Sequence, residues 1–238
     1  MEDCGEGVQV KLLGGRSPFV VRVRIALALK GIDYEFIEEN LQNKSELLLQ
    51  SNPVYKKIPV LIDHNGKPVC ESMVIVQYID EVWNTKTPNL MPKDSYDRAI
   101  ARFWAAFVDD KIFPCVRGVF MGQGEQLQKA AEESVTNLLL IEEAMKTCSC
   151  FSGKPYFGGD EIGFVDIALG SVSPFIIAVE KVTNTVLVDP KKMPLLSAWM
   201  DRFHEFDGLK DVMPDPGKLL EFVSTTRARI TSPSVGDD

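Results

Sequence analysis

The sequence predicts an α/β segment of order β-α-β-α-β-β-α followed by an all-helical segment. Three observations carry this. The apolar periodicity switches repeatedly between two and 3.6 through the first ~85 residues. The later part of that stretch reads strand, turn, strand, helix, unlike a repeated right-handed βαβ nucleotide fold. Beyond it, the pattern is helical throughout.

Val8 to Leu13 alternates and runs into Gly14-Gly15, as a strand entering a loop does. Ser17-Pro18 opens a run from Phe19 to Lys30 that closes at Gly31; Ser as cap, Pro at the first position and Gly past the end punctuate a helix. Tyr34 to Glu38 reads as a second strand, and Ser45 to Gln50 as a short helix. Val60 to Ile62 and Pro68 to Cys70 flank Asp63-His64-Asn65-Gly66, in which Asn-Gly signals a hairpin turn. Ser72 to Trp83 places Met73, Val76, Ile79 and Trp83 along one helical face. The first domain therefore spans residues 1–83, and residues 84–94, with two prolines and no periodicity, form a linker.

Residues 95–230 read as helices. Ile100, Phe103, Trp104, Phe107 and Val108 make an apolar stripe, and Leu127 to Thr147, Val165 to Val182, Pro194 to Glu205 and Lys218 to Ile230 follow. Gly163-Phe164-Val165-Asp166 resembles a capping box with glycine at the cap, a structural feature. Residues 231–238 are polar with Pro and Gly and are expected to lack fixed structure.

Composition narrows the function. A net charge of −8 argues against a nucleic-acid partner, which needs clustered Lys and Arg. No apolar run reaches the ~18 residues that span a bilayer. The acidic start, Met-Glu-Asp-Cys-Gly-Glu-Gly, is no secretory signal. Five cysteines at irregular positions, with only Cys148 and Cys150 close together, read as free thiols of a reducing cytosol and as no metal site. His64 and His204 are the only histidines, so a Ser-His-Asp nucleophile is thinly supplied.

Three short segments could carry chemistry. In Gly-Gly-Arg-Ser-Pro-Phe, residues 14–19, a hydroxyl at a helix N-terminus would stabilise a bound thiolate; from the hexapeptide alone, a plain helix cap is the commoner role for Ser17. In Lys-Lys-Ile-Pro-Val-Leu, residues 56–61, a cis Pro59 would free the Ile58 N–H and C=O for an extended peptide; a trans proline starting an edge strand is the common alternative. In Cys-Glu-Ser, residues 70–72, Ser72 and the helix N-terminus suit a carboxylate and Glu71 an ammonium, the two ends of a free amino acid; an ordinary cap after a surface acid suits the same residues. Lys44 and Lys57 are candidate cations for a second carboxylate, or solvated lysines.

Taken in order, these motifs resemble the glutathione transferases, and the tau class of plants in particular. The resemblance rests on Ser-Pro-Phe at 17–19, Arg-Val-Arg-Ile-Ala-Leu-Ala-Leu-Lys-Gly at 22–31, Asn-Lys-Ser at 43–45, Asn-Pro-Val-Tyr-Lys-Lys-Ile-Pro-Val-Leu at 52–61, Cys-Glu-Ser at 70–72 and Phe-Gly-Gly-Asp…Gly-Phe-Val-Asp-Ile-Ala-Leu at 157–169. It implies a thioredoxin-like N-terminal domain, an all-α C-terminal domain and a cytosolic homodimer without metal or tightly bound cofactor. Glutathione is then the co-substrate, and the reaction is its conjugation to hydrophobic electrophiles; peroxidase activity toward organic hydroperoxides is compatible with such a site. Ser17 would hold the thiolate, Ile58 and Pro59 the peptide backbone, Glu71 and Ser72 the γ-glutamyl end, and Lys44 and Lys57 the glycine carboxylate. The hydrophobic substrate would meet Phe19, Phe113, Arg117, Phe120, Phe175 and Phe222 in a pocket between the domains; ordinary core packing competes as the role of these aromatics. A non-catalytic carrier of flavonoid- or porphyrin-like ligands is the alternative function. Tyr55 stands where tau sequences commonly have His, which bears on substrate preference. Lys146 to Lys154, with two cysteines, has no counterpart in this reading and looks like a loop.

Overall fold

The computed structural model describes residues 9–231. Val8 and Cys4, and residues 232–238 of the expected tail, lie outside the described residues. The chain divides into two units: one runs to Met91 and takes in Asp207–Met213, and the other holds Pro92–Phe206 with everything from Pro214.

The first unit is built on strands β1 (Lys11–Gly14), β2 (Glu35–Glu38), β3 (Val60–Ile62) and β4 (Pro68–Cys70) and helices α1 (Pro18–Leu29), α2 (Glu46–Ser51) and α3 (Ser72–Val82). β1 starts at Lys11, later than the alternation from Val8 suggests. The sheet order is β2-β1-β3-β4, with β1 parallel to β2 and antiparallel to β3, and β3 antiparallel to β4. A parallel neighbour requires a crossover, which α1 supplies. The register pairs Gly14 with Glu38, Leu13 with Val60 and Val60 with Cys70. Hence the ends of β1, β2 and β4 and the start of β3 lie at one end of the sheet.

The hairpin between β3 and β4 is wider than a two-residue Asn-Gly turn. Only Gly66 takes a positive φ (75°), and the Asp63 N–H closes the loop on the Lys67 carbonyl. Asp63 organises it, accepting hydrogen bonds from the Asn65 and Lys67 N–H groups and from the Tyr78 hydroxyl of α3 at 2.6 Å. Burial raises this carboxyl, but the hydrogen bonds from Tyr78, Lys67 and Asn65 together outweigh it and hold Asp63 at about 2.

The segment after α3 is pinned. Buried Asp80 accepts the Leu90 and Met91 N–H groups and pairs with buried Lys30 at 2.8 Å, while Lys30 also donates to the Lys86 carbonyl. The buried ion pair thus has hydrogen-bond partners that offset desolvation.

The second unit contains α4 (Ser95–Phe107), α5 (Phe113–Met121), α6 (Gly124–Thr147), α7 (Phe164–Gly170), α8 (Ser173–Thr183), α9 (Pro194–Glu205) and α10 (Pro216–Thr231). α4 runs into α5 through a π turn, Val108–Ile112, in which the Phe113 N–H reaches the Val108 carbonyl. Pro114 lies just beyond; its ring would clash with the carbonyl four residues back in a regular α-helix, and the wider turn relieves this.

The apolar stripe expected along α4 is buried only in part: Val108, just past the helix end, is buried with Ala101 and Ala105, while Phe103 is 59 % exposed. One expectation needs correction. The run Val165 to Val182 is two helices, broken between Gly170 and Ser173, where Pro174 restarts the chain. Gly170 also permits a close approach: a β-carbon there would sit 2.1 Å from Cζ of Phe203 on α9.

Asp166 is fully buried and is the polar centre of this unit. Its carboxylate accepts from the Phe157, Gly158 and Gly163 N–H groups and from the Trp199 indole at 2.7 Å. The Gly163 contact is the half of a capping box that a glycine cap allows. Burial pushes the carboxyl up to about 6 even though all four donors favour its charged form.

Candidate functional site

Every glutathione-contact candidate falls at the one end of the sheet that the strand registers define. Ser17 follows β1 and caps α1. Lys44 follows β2 and precedes α2. Lys57, Ile58 and Pro59 precede β3, and Glu71 and Ser72 follow β4 at the start of α3.

Ser17 has extended backbone (φ −153°, ψ 136°), and its Oγ accepts the Phe19 N–H at 3.3 Å. A hydroxyl has one proton and two lone pairs, so capping consumes only acceptor capacity. No acceptor among the described residues takes the Ser17 proton. Capping the helix and donating to a bound sulfur are therefore compatible.

The Ile58–Pro59 peptide is cis, as the resemblance implies; a second cis bond, Thr87–Pro88, had no signal in the sequence. Neither the N–H nor the C=O of Ile58 has a hydrogen-bond partner among the described residues. The approach to Ile58 is fixed by buried Asn52, whose Nδ2 donates to the Lys57 carbonyl at 2.9 Å and whose Oδ1 accepts the Tyr55 N–H at 3.1 Å. Tyr55 itself is exposed.

The cap of α3 is Glu71, not Ser72, and it makes no side-chain cap bond. Glu71 holds φ 71° and ψ 117°, a conformation that costs a non-glycine residue on the order of 1–3 kcal/mol. Such strain persists only where the surroundings over-determine it. Ser72 begins the helix and is buried, and its Oγ accepts from the Arg22 guanidinium at 3.2 Å. As at Ser17, the hydroxyl is used as an acceptor and keeps its proton to donate.

Arg22 is a candidate site residue that the sequence did not reveal. It is fully buried on α1, next to Ser72 and 4.9 Å from the centroid of the Phe19 ring. Inside an apolar run, Arg22 and Arg24 look alike in sequence; only the packing of α1 on α3 separates them. Lys44 is half-buried and Lys57 exposed, and neither forms an ion pair among the described residues.

Of the hydrophobic-substrate candidates, Phe19 belongs to the first unit and the other five to the second. Phe175 of α8 meets Phe120 and Phe113 of α5 with ring centroids 5.5 and 6.2 Å apart. Arg117 is exposed on α5 between them, and Phe222 is 43 % exposed on α10 with no ring contact among the described residues.

Other chemistries find little support. Ser173 and His204 are 2.7 Å apart, but Ser173 is fully buried and its hydroxyl also lies 2.8 Å from the Gly170 carbonyl, so the pair is enclosed and offers no exposed nucleophile. Burial pushes the thiols of Cys70 and Cys115 up, the latter with help from Glu133, and the same cause with an Asp97 hydrogen bond takes Cys150 to about 12. Lys146 and Thr147 finish α6, and the turn after them buries Cys150, whose thiol donates to Asp97 at 2.8 Å; this cysteine ties that turn to α4. Among the described residues no three His, Cys, Asp or Glu side chains are placed to hold a metal ion, and no helix is long and apolar enough to cross a membrane.

The family model for the glutathione S-transferase N-terminal domain matches residues 8–81, and that for the C-terminal domain matches residues 96–206. Glutathione S-transferase U18 of Arabidopsis thaliana is 51% identical over 215 residues, 90% of this chain and 93% of that protein. The crystal structure of a tau-class glutathione S-transferase from mango (Mangifera indica) is 48% identical, with a TM-score of 0.84 over 91% of this chain and 98% of that one. A rice glutathione S-transferase solved in complex with glutathione is 36% identical, with a TM-score of 0.84 over 94% and 99% of the two chains. With a sheet end that gathers the motif residues and relatives that match along nearly the whole length, the chain belongs to the glutathione S-transferase family, in its plant tau class.

Proposed function

We propose that the chain conjugates glutathione to hydrophobic electrophiles, with Ser17 stabilising the thiolate. The observation that supports this reading is the hydroxyl of Ser17, which caps α1 as an acceptor and whose proton has no acceptor among the described residues. The energies are of the required size. Lowering a thiol pKa from ~8.5 to ~6.5 takes about 2.7 kcal/mol. A charge-assisted hydrogen bond contributes about 1.5–3 kcal/mol and a helix N-terminus about 0.3–1 kcal/mol more.

In this reading Ile58 pairs with the cysteinyl backbone of the tripeptide beside Pro59. Glu71 accepts from the γ-glutamyl ammonium; the Ser72 hydroxyl and the first N–H groups of α3 hold its carboxylate, with buried Arg22 adding positive charge behind them. Lys44 and Lys57 face the glycine carboxylate. The thiolate lone pair then forms the carbon–sulfur bond, and with a chlorinated nitrobenzene chloride departs with the electrons of the carbon–chlorine bond. Phe19 and the cluster of Phe113, Phe120 and Phe175, with Arg117 and Phe222, are the residues we assign to the electrophile.

Conjugation of glutathione to a chlorinated nitrobenzene tests this, with Ser17→Ala compared against wild type and both melting temperatures recorded. We expect turnover to fall on the order of 10²-fold, the typical loss for one preorganised donor to a developing or fixed anion. Losing the cap should cost only about 1 kcal/mol, or roughly 2–4 °C. Wild-type binding of glutathione without turnover would instead favour a carrier, and a joint collapse of activity and melting would make Ser17 chiefly a cap.

A further inference from the structure

The loop that presents Lys44 is held by a carboxylate that the sequence reading did not single out. Glu39 directly follows β2, and its N–H donates to the Gly14 carbonyl at 2.8 Å, which anchors its backbone to the sheet beside β1. Its side chain is buried, unlike those of its neighbours Glu38 and Asn40. A buried carboxylate persists only where donors replace water. Both oxygens meet the same residue: Oε2 accepts the Ser45 N–H at 3.2 Å, and Oε1 accepts the Ser45 hydroxyl at 2.6 Å.

Ser45 in turn caps α2, its Oγ accepting the Leu48 N–H at 3.0 Å. Between the two ends of this clasp, the Asn40 side chain accepts the Gln42 N–H and its carbonyl accepts the Asn43 N–H. Residues 39–45 thus form a closed loop whose ends are bonded to each other, with Lys44 next to the clasp. Both Glu39 oxygens being occupied by Ser45, the carboxylate acts on Lys44 through the backbone, not as its ion-pair partner; Lys44 has no ion pair among the described residues.

The geometry points to Glu39 as the positioning residue that fixes Lys44 for the glycine carboxylate of glutathione. This rests on the reading of Lys44 given above. A long, flexible lysine gains from a fixed backbone because less conformational freedom is lost on binding. Releasing the clasp should therefore weaken binding of the glycine end and leave the chemistry at sulfur alone.

The experiment compares wild type, Lys44→Met, Glu39→Ala and the double variant, with glutathione and with γ-glutamylcysteine, which lacks the glycine carboxylate. Glu39→Ala is expected to raise KM for glutathione about tenfold, near the worth of one charge-assisted contact, with kcat unchanged. KM for γ-glutamylcysteine should not move, and Glu39→Ala should add nothing in the Lys44→Met background. Glu39→Gln keeps an acceptor for the Ser45 hydroxyl and should fall between the two, which guards against a folding defect in the alanine variant. Equal losses on both thiols, or additive effects with Lys44→Met, would overturn the assignment. If Lys44→Met itself fails to discriminate the two thiols, it is the reading of Lys44 that falls; if Lys44→Met discriminates and Glu39→Ala does not, only the role of Glu39 falls.

Discussion

Two serines are used in the same way. Ser17 and Ser72 each accept an internal hydrogen bond, from the Phe19 N–H and the Arg22 guanidinium, and the proton of neither has an acceptor among the described residues. Local chemistry made the first legible: Ser-Pro before an apolar run and Gly after it announce a helix start, whatever the rest of the chain does. The second role was half legible. Cys-Glu-Ser before a helix suggested an anion site, but the strained φ of Glu71 and the buried partner Arg22, 50 residues away in sequence, arise only from packing. Ser72→Ala should raise KM for glutathione about tenfold and cost about 1–3 kcal/mol of stability, because the buried guanidinium loses an acceptor. Steady-state kinetics and denaturant titration of the same variant measure both; an unchanged KM would remove Ser72 from the binding site.

At the level of elements, the strands and helices of the first unit were readable because their signals are local and short. The hairpin turn was only partly so. Asn65-Gly66 marked its place, while its width depends on Asp63, which Tyr78 of α3 bonds from outside the hairpin. Tyr78→Phe should cost about 1–2 kcal/mol by denaturant titration. With that bond gone, the Asp63 carboxyl should titrate above its native value of about 2. The stability Asp63 contributes is present above its unfolded value of 3.8 and is lost as pH falls toward 2, so the gap between variant and wild type should close across that window. In the second unit a continuous apolar pattern hid the break between α7 and α8, since periodicity does not register that Gly170 must admit the Phe203 ring. Gly170→Ala should destabilise the protein despite alanine's better helix propensity, by about 1–3 kcal/mol of overpacking. A stabilised variant would contradict this packing.

Across the whole molecule, half-buried His204 and fully buried Asp166 make stability depend on pH in opposite senses. Burial holds His204 below its ordinary 6.5, against the raising effect of Asp201. Below pH 6.5 the unfolded chain therefore gains a proton that the folded one resists, and stability falls. Asp166 acts the other way: held at about 6, it protonates in the fold before the unfolded chain does, so its burial penalty is relieved as pH drops from 6 toward 3.8. The loss on acidification should thus begin just below pH 6.5 and flatten below 6, and His204→Gln should remove its onset in urea midpoints measured from pH 8 to 5. Neither effect was readable in sequence, where both residues carry no mark of burial.

The proposed chemistry requires the sheet end to lower the pKa of a bound thiol through Ser17. Its most direct test is the ultraviolet absorbance of the thiolate, titrated with pH in the complex of glutathione with wild type and with Ser17→Ala. We expect a bound thiol pKa of about 6.5 in wild type and of about 8.5, the free value, in the variant, with glutathione still bound. A thiol that ionises at the same low pH in both proteins would contradict it.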